Sequence, residues 1–142
     1  MRLPLLSFAL LLVLNTSAFA GDVVVTGGWF RALPASVPSG GYFTLHNGSN
    51  KTITLTGASS PACGMLMLHK TEDKGGTMDM MDMPSIPVPA GTDLKFAPGG
   101  YHLMCMSPSA AIKPGAQVPV TLKFANGTSV QSDFSVRNAS GK

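Results

Sequence analysis

Eight of the chain's nine methionines fall between Cys63 and Met106, together with two of its three histidines and both of its cysteines. Methionine is ordinarily a scattered filler of hydrophobic cores. Here it is bunched around His69 and His102. Thioether sulfur and imidazole together suit a soft, late transition ion, Cu(I) above all. Zinc would draw Cys or carboxylate with His rather than two thioethers. A blue-copper electron carrier would need a Cys with two His and a weak Met, but no His follows Cys105, which excludes that arrangement.

Strand parity limits which of these side chains can meet. Residues two apart on a strand face the same way. His102 and Met104 therefore share a face opposite Leu103 and Cys105, and Met65, Met67 and His69 share one opposite Leu66 and Leu68. The leucines are the natural core residues. The Met/His rows are then expected on the outer faces, near the surface, where burial offers methionine little and a metal offers it a role.

The elements that must carry these rows are short β-rich runs separated by Gly, Pro, Asn and Ser; helical periodicity is hard to find. The expected fold class is all-β, an antiparallel sandwich or barrel. Strands are expected at 23–32 (with Gly27-Gly28 as a bulge), 42–46, 52–56, 65–69, 78–83, 93–96, 101–106, 118–124 and 129–136. Residues 33–41 and 107–115 read as loops. Lys74-Gly75-Gly76 reads as a hairpin tip, and the proline-spaced run 84–89 as an edge or loop.

The first twenty residues read as a secretory signal peptide: Arg2, an apolar run from Leu5 to Leu14, and Ala18-Phe19-Ala20 as the cleavage site. The apolar run is too short for a stable membrane-spanning helix, and no second one follows. Residues 21–142 are expected to be one soluble domain outside the cytoplasm, in the periplasm if the chain is bacterial, long enough for one core. The formal charge is +3 with no basic stripe, so nucleic acid is not an expected partner. No nucleophile elbow, paired-acid constellation or phosphate loop stands out, so no enzyme is expected. The expected working unit is a monomer.

The spacing of the donors is specific. His69, Met80, His102 and Met104 form the pattern H-x10-M-x21-H-x-M. Even in a Met-rich chain, three such offsets from one His coincide by chance about once in ten thousand. The pattern, with the leader, the strand order, Trp29 and its flanks, and the Pro-Gly-Gly-Tyr-His-Leu-Met run, resembles the PCuAC periplasmic copper chaperones over essentially the whole of residues 21–142. The resemblance implies a cupredoxin-like Greek-key fold that binds Cu(I) through His69, Met80, His102 and Met104. It also implies delivery to an exported acceptor such as the CuA centre of cytochrome c oxidase. The family's frequent His/Met-rich C-terminal tail has no counterpart in residues 137–142, so a second, Cu(II)-type site is not expected there. Two other readings stand beside delivery: a copper buffer, and a β-sandwich interaction module with an apolar methionine patch.

The remaining candidates are weaker. Met67, by parity with His69, and Met78, by parity with Met80, are reserve metal ligands. Apolar packing is the expected role for most of Met65, Met67, Met78, Met81, Met83 and Met106. Two cysteines in an exported chain favour a Cys63–Cys105 disulfide over free thiols. Simple parity puts Cys63 and Cys105 on opposite faces, so a bulge at Gly64 would be needed to turn Cys63 over. His46 reads as a surface residue. Asn47, Asn50, Asn126 and Asn138 open N-x-[ST] triplets and read as turn residues in a bacterial compartment.

Overall fold

The computed structural model describes residues 22–34 and 36–142; the expected signal peptide lies outside the described residues. The described chain is all-β. Its ten strands are β1 (Val23–Arg31), β2 (Ser39–Asn47), β3 (Ile53–Ser59), β4 (Cys63–Asp73), β5 (Met78–Asp82), β6 (Ile86–Val88), β7 (Asp93–Phe96), β8 (Tyr101–Pro108), β9 (Gln117–Phe124) and β10 (Ser129–Arg137). Alternation sets the faces: on β3, Ile53 and Leu55 are buried, and on β9 so are Val118, Val120, Leu122 and Phe124. The glycine pair in β1 is a bulge, with the register against β2 shifting between Thr26 and Trp29 and Gly27 at φ 64°. That conformation suits glycine, which has no Cβ to clash.

The strands form one continuous sheet in the order β5-β4-β8-β7-β2-β1-β10-β9-β3-β6, with β8 also pairing β2. Most neighbours are antiparallel; β1 runs parallel to β10. β3 and β4 come into contact without being hydrogen-bonded neighbours, so the sheet folds over on itself. One apolar cluster fills the space between its halves, with Phe30, Phe43, Leu45, Leu55, Leu103 and Phe134 among its members.

Two expected loops are partly strand. β2 starts at Ser39 rather than Tyr42, because Ser39, Gly40 and Gly41 pair with Cys105, Met104 and Leu103 of β8. Glycine is a poor strand former in isolation, but here it makes room for the side chains packed against this stretch. A Cβ on Gly41 would lie 2.6 Å from Phe30 Cε1 and 3.1 Å from Leu103 Cβ. Likewise β8 continues through Pro108, opposite Cys63.

The N-x-[ST] triplets have a local structural cause. Asn47, Asn126 and Asn138 each accept, through Oδ1, the backbone N–H and the hydroxyl of the Ser or Thr two residues on, which is an Asx-turn. Asn47 is more than a turn residue. It is buried, and its Nδ2 donates to the carbonyls of Lys51, Val88 and Pro89, which ties the β2–β3 turn to β6.

Cys63 Sγ lies 2.02 Å from Cys105 Sγ, with the Cα atoms 5.3 Å apart. The bulge expected at Gly64 is absent, since the β4–β8 register is the same on both sides of it. The irregularity lies on the partner strand, where Ser107 takes a left-handed φ of 50°. The bond would close a loop spanning 42 residues that contains most of the candidate donors.

Two outcomes follow. Alkylation of unreduced protein should leave both cysteines unmodified by mass, and a Cys63→Ala/Cys105→Ala variant should lose about 3–4 kcal/mol in urea denaturation by the loop-entropy argument; two alkylated thiols would overturn the cross-link. Gly41→Ala should destabilise the domain by about 1–3 kcal/mol through overpacking. Gly57→Ala, whose Cβ meets nothing within 4 Å, should change stability by less than about 0.5 kcal/mol.

Candidate metal centre

Three adjacent strands, β5, β4 and β8, carry the donors. The register of β4 on β8 pairs Met65 with Met106, Met67 with Met104, and His69 with His102. The register of β5 on β4 pairs Asp82 with His69, Met80 with Thr71, and Met78 with Asp73. Directly opposed residues in an antiparallel pair share a face. His69, Met80, His102 and Met104 therefore stand on one face of the sheet. Their strand neighbours Leu66, Leu68, Leu103 and Cys105 stand on the other and are buried in the core.

The His102 ring is fixed by its own turn. Ala97-Pro98-Gly99-Gly100 closes with the Gly100 N–H donating to Ala97 O at 3.0 Å. Pro at the second position and Gly99 at φ 86° in the third are the signature of a type II turn. The turn presents the Gly100 carbonyl to two donors, the Thr71 N–H at 3.0 Å and His102 Nδ1 at 3.2 Å. A carbonyl only accepts, so the proton is on Nδ1 and the lone pair is on Nε2. Nε2 is buried and has no hydrogen-bond partner. Burial holds the His102 pKa below its ordinary 6.5 against the opposing pull of the Gly100 hydrogen bond, with a smaller push from nearby His69. The imidazole is thus kept neutral, as a metal ligand must be.

His69 stands edge-on to His102, ring centroids 5.6 Å apart. Asp82 Oδ1 lies 2.6 Å from His69 Nε2 but makes no hydrogen bond with it, and both His69 ring nitrogens are buried without such a partner. A neutral imidazole carries one N–H and one lone pair, so His102 Nε2 and one nitrogen of His69 hold buried lone pairs on this face, which is costly unless something accepts them. A cleft of about 500 Å³ opens onto this face, and Met80, His102, Met104, Thr71, Tyr42 and Arg31 are among the residues lining it. Among the described residues no group of three or more His, Cys, Asp or Glu is placed to hold a metal. A cation held here would need the thioethers, and the donor set fits a soft one.

The outer-face expectation needs correction at one residue. His102 is only 5% exposed, because Leu33, Val37, Pro38 and β2 wall the cleft beside β8. Met80, at 62% exposed, is the open side of the arrangement. The reserve residues Met67 and Met78 do share the face. Of the extra methionines, Met83 packs against the core cluster, whereas Met65, Met67, Met78, Met81 and Met106 do not. Met81 points to the opposite face by its pairing with Lys70. His46 is exposed and pairs with Asp93 at 2.6 Å, far along β2 from the cleft. Sequence reasoning missed Asp82 and the Gly100 carbonyl. Parity from Met80 would have found Asp82; the carbonyl has no side-chain signal.

A model of the LpqE-like family, described as "Putative lipoprotein LpqE-like", matches residues 23–136. The chain is 32% identical over 123 residues to "Putative lipoprotein Lxx21020" of Leifsonia xyli subsp. xyli, covering 86% of this chain and 74% of that one. It is 29% identical to "Uncharacterized protein RP573" of Rickettsia prowazekii, spanning 54% of that protein's length. Among solved structures, the fold is similar to the solution structure of CuI-DR1885 from Deinococcus radiodurans, with TM-score 0.67 and 30% identity over 87% of this chain and 83% of that one. It is also similar to the copper-bound PCuAC domain from PmoF2, with TM-score 0.69 and 22% identity over 84% and 95%. The fold is thus that of the cupredoxin-like PCuAC domains, and the chain belongs to the LpqE-like family.

Proposed function

We propose that this protein is an exported Cu(I) metallochaperone that carries one ion on His69, Met80, His102 and Met104. The observation that carries the reading is the buried, unpartnered Nε2 of His102, held as a lone-pair donor on the same face as Met104, His69 and Met80. The 30%-identical structure solved as CuI-DR1885 supports the choice of ion.

Each residue has a distinct part. His102 and Met104, two apart on a strand anchored in the core, form the rigid half. His69 supplies the second imidazole, with the Asp82 carboxylate 2.6 Å from its Nε2 to offset the charge of a bound cation. Met80 supplies the exposed sulfur. All four ligands are neutral. Neutral thioethers hold Cu(I) less tightly than thiolates, so the ion remains exchangeable, and they persist where free thiols would be oxidised. The acceptor on this reading is an exported copper site containing cysteine, such as the CuA centre of cytochrome c oxidase. Met80, at the open side of the cleft, is the ligand an incoming sulfur would replace first.

X-ray absorption on the Cu(I) form should show mixed nitrogen and sulfur ligation at one ion per chain; an all-nitrogen shell would count against this ligand set. His102→Ala and Met104→Ala should each weaken Cu(I) at least about tenfold, or 1.4 kcal/mol, in competition with a chelator. Met81→Ala, on the opposite face, should not; equal losses across the three would refute the assignment.

Delivery is tested separately by mixing Cu(I)-loaded protein with an apo CuA domain. Copper should move at a rate that rises with acceptor concentration and exceeds dissociation into a chelator. A rate equal to that dissociation and independent of the acceptor would make the protein a buffer.

A further inference from the structure

The face that carries the proposed centre does not end at Met104. Along β4 and β8 the register gives three consecutive opposed pairs: His69 with His102, Met67 with Met104, and Met65 with Met106. Every one of these six side chains is a potential soft-metal ligand. Successive pairs on one face repeat at about 6.6 Å along a strand, and opposed residues stand about 5 Å apart at Cβ. The last pair lies two steps from the histidines and reaches solvent, with Met65 59% and Met106 37% exposed.

Packing does not account for that outer pair. On the inner face of the same two strands the chain uses Leu66, Leu68 and Leu103, all buried in the core. On the outer face it uses Met65, Met67, Met104 and Met106, and none of these packs against the core cluster. Exposed methionine gains little from the hydrophobic effect, so burial gives no reason for thioethers at Met65 and Met106, which complete a square with the half-buried Met67 and Met104. Their chemistry does. Methionine is long, unbranched and flexible, so sulfurs from adjacent pairs can converge on one ion, and thioether ligation selects soft cations.

We propose that Met65, Met106 and Met67 form a second binding site for a soft monovalent cation, Cu(I) in the cell, on the solvent-facing end of this ladder. The site goes beyond the single centre proposed above and lies one pair away from its ligand Met104. It has no imidazole, is more exposed and is the weaker of the two, so it fills second. A cation there shares Met67, the residue directly opposite Met104, which links the two sites through sulfur alone.

Silver(I), a redox-inert soft cation, is the probe. Titrate it into full-length folded protein carrying methionines labelled with ¹³C at the ε-methyl. The expected result is two equivalents: the first moves the Met80 and Met104 methyl signals, and the second moves those of Met65 and Met106. A Met65→Leu/Met106→Leu variant, which keeps an apolar surface of similar volume, should bind one equivalent and still move Met80 and Met104. Saturation of the unaltered protein at one equivalent with Met65 and Met106 unmoved would overturn the second site and leave the first intact. So would a second equivalent that survives in the variant. Failure of the Met80 and Met104 signals to move at all would instead strike the proposed centre.

Discussion

The pairing register of β4 against β8 is the constraint on which the rest depends. It holds unshifted from Cys63 opposite Pro108 to Lys70 opposite Tyr101. A slip of one residue would send every side chain of one strand to the other face. It would bury Met65, Met67 and His69 in the core and turn Leu66 and Leu68 toward water. Burial of those leucines with Leu103 and Cys105, each worth about 1.5–3 kcal/mol for a large apolar side chain, makes that alternative untenable. The hydrophobic core thus aims the donors although it contains none of them.

Two demands are written into the same strands at alternate positions. Inward positions answer to packing and use branched aliphatics. Outward positions are free of that demand and use thioether and imidazole, the donors of the proposed centre. The His102 neighbourhood joins the two, because its ring is sunk far enough to lose solvent yet keeps one nitrogen unpartnered. A backbone carbonyl rather than a carboxylate fixes its tautomer, so the position gains orientation without gaining negative charge. A carboxylate stands beside His69 instead, where Asp82 lies at the exposed side of the ring.

Much of this was legible in the sequence because period-two alternation leaves a strong trace. The Leu/Met alternation from Met65 to His69 and the run from Tyr101 to Met106 gave the faces correctly, and the glycine pair in β1 marked its bulge. What was not legible came from long-range pairing. Gly40 and Gly41 look like loop residues until β8 is laid beside them, since nothing local shows that a missing Cβ makes room for Phe30 and Leu103. The burial of His102 depends on Leu33, Val37, Pro38 and β2, distant in sequence. Ser107, in a left-handed conformation that serine seldom adopts, took the place of the irregularity expected at Gly64. Asn47 looked like one turn asparagine among several because its buried acceptors lie on β6, about forty residues away.

The β4–β5 hairpin gives the ligands unequal footing. β5 is an edge strand whose five residues are all exposed and whose only ladder partner among the described residues is β4. Elements of this kind open locally at a small fraction of the global unfolding free energy, whereas core strands open only with the whole domain. Hydrogen-exchange protection should therefore divide the four donors into three that persist and one, Met80, that comes and goes with its hairpin. For the proposed four-ligand centre, the lifetime of full coordination would then be set by fraying of a two-stranded ribbon, and the domain could shift from four ligands to three without disturbing its core.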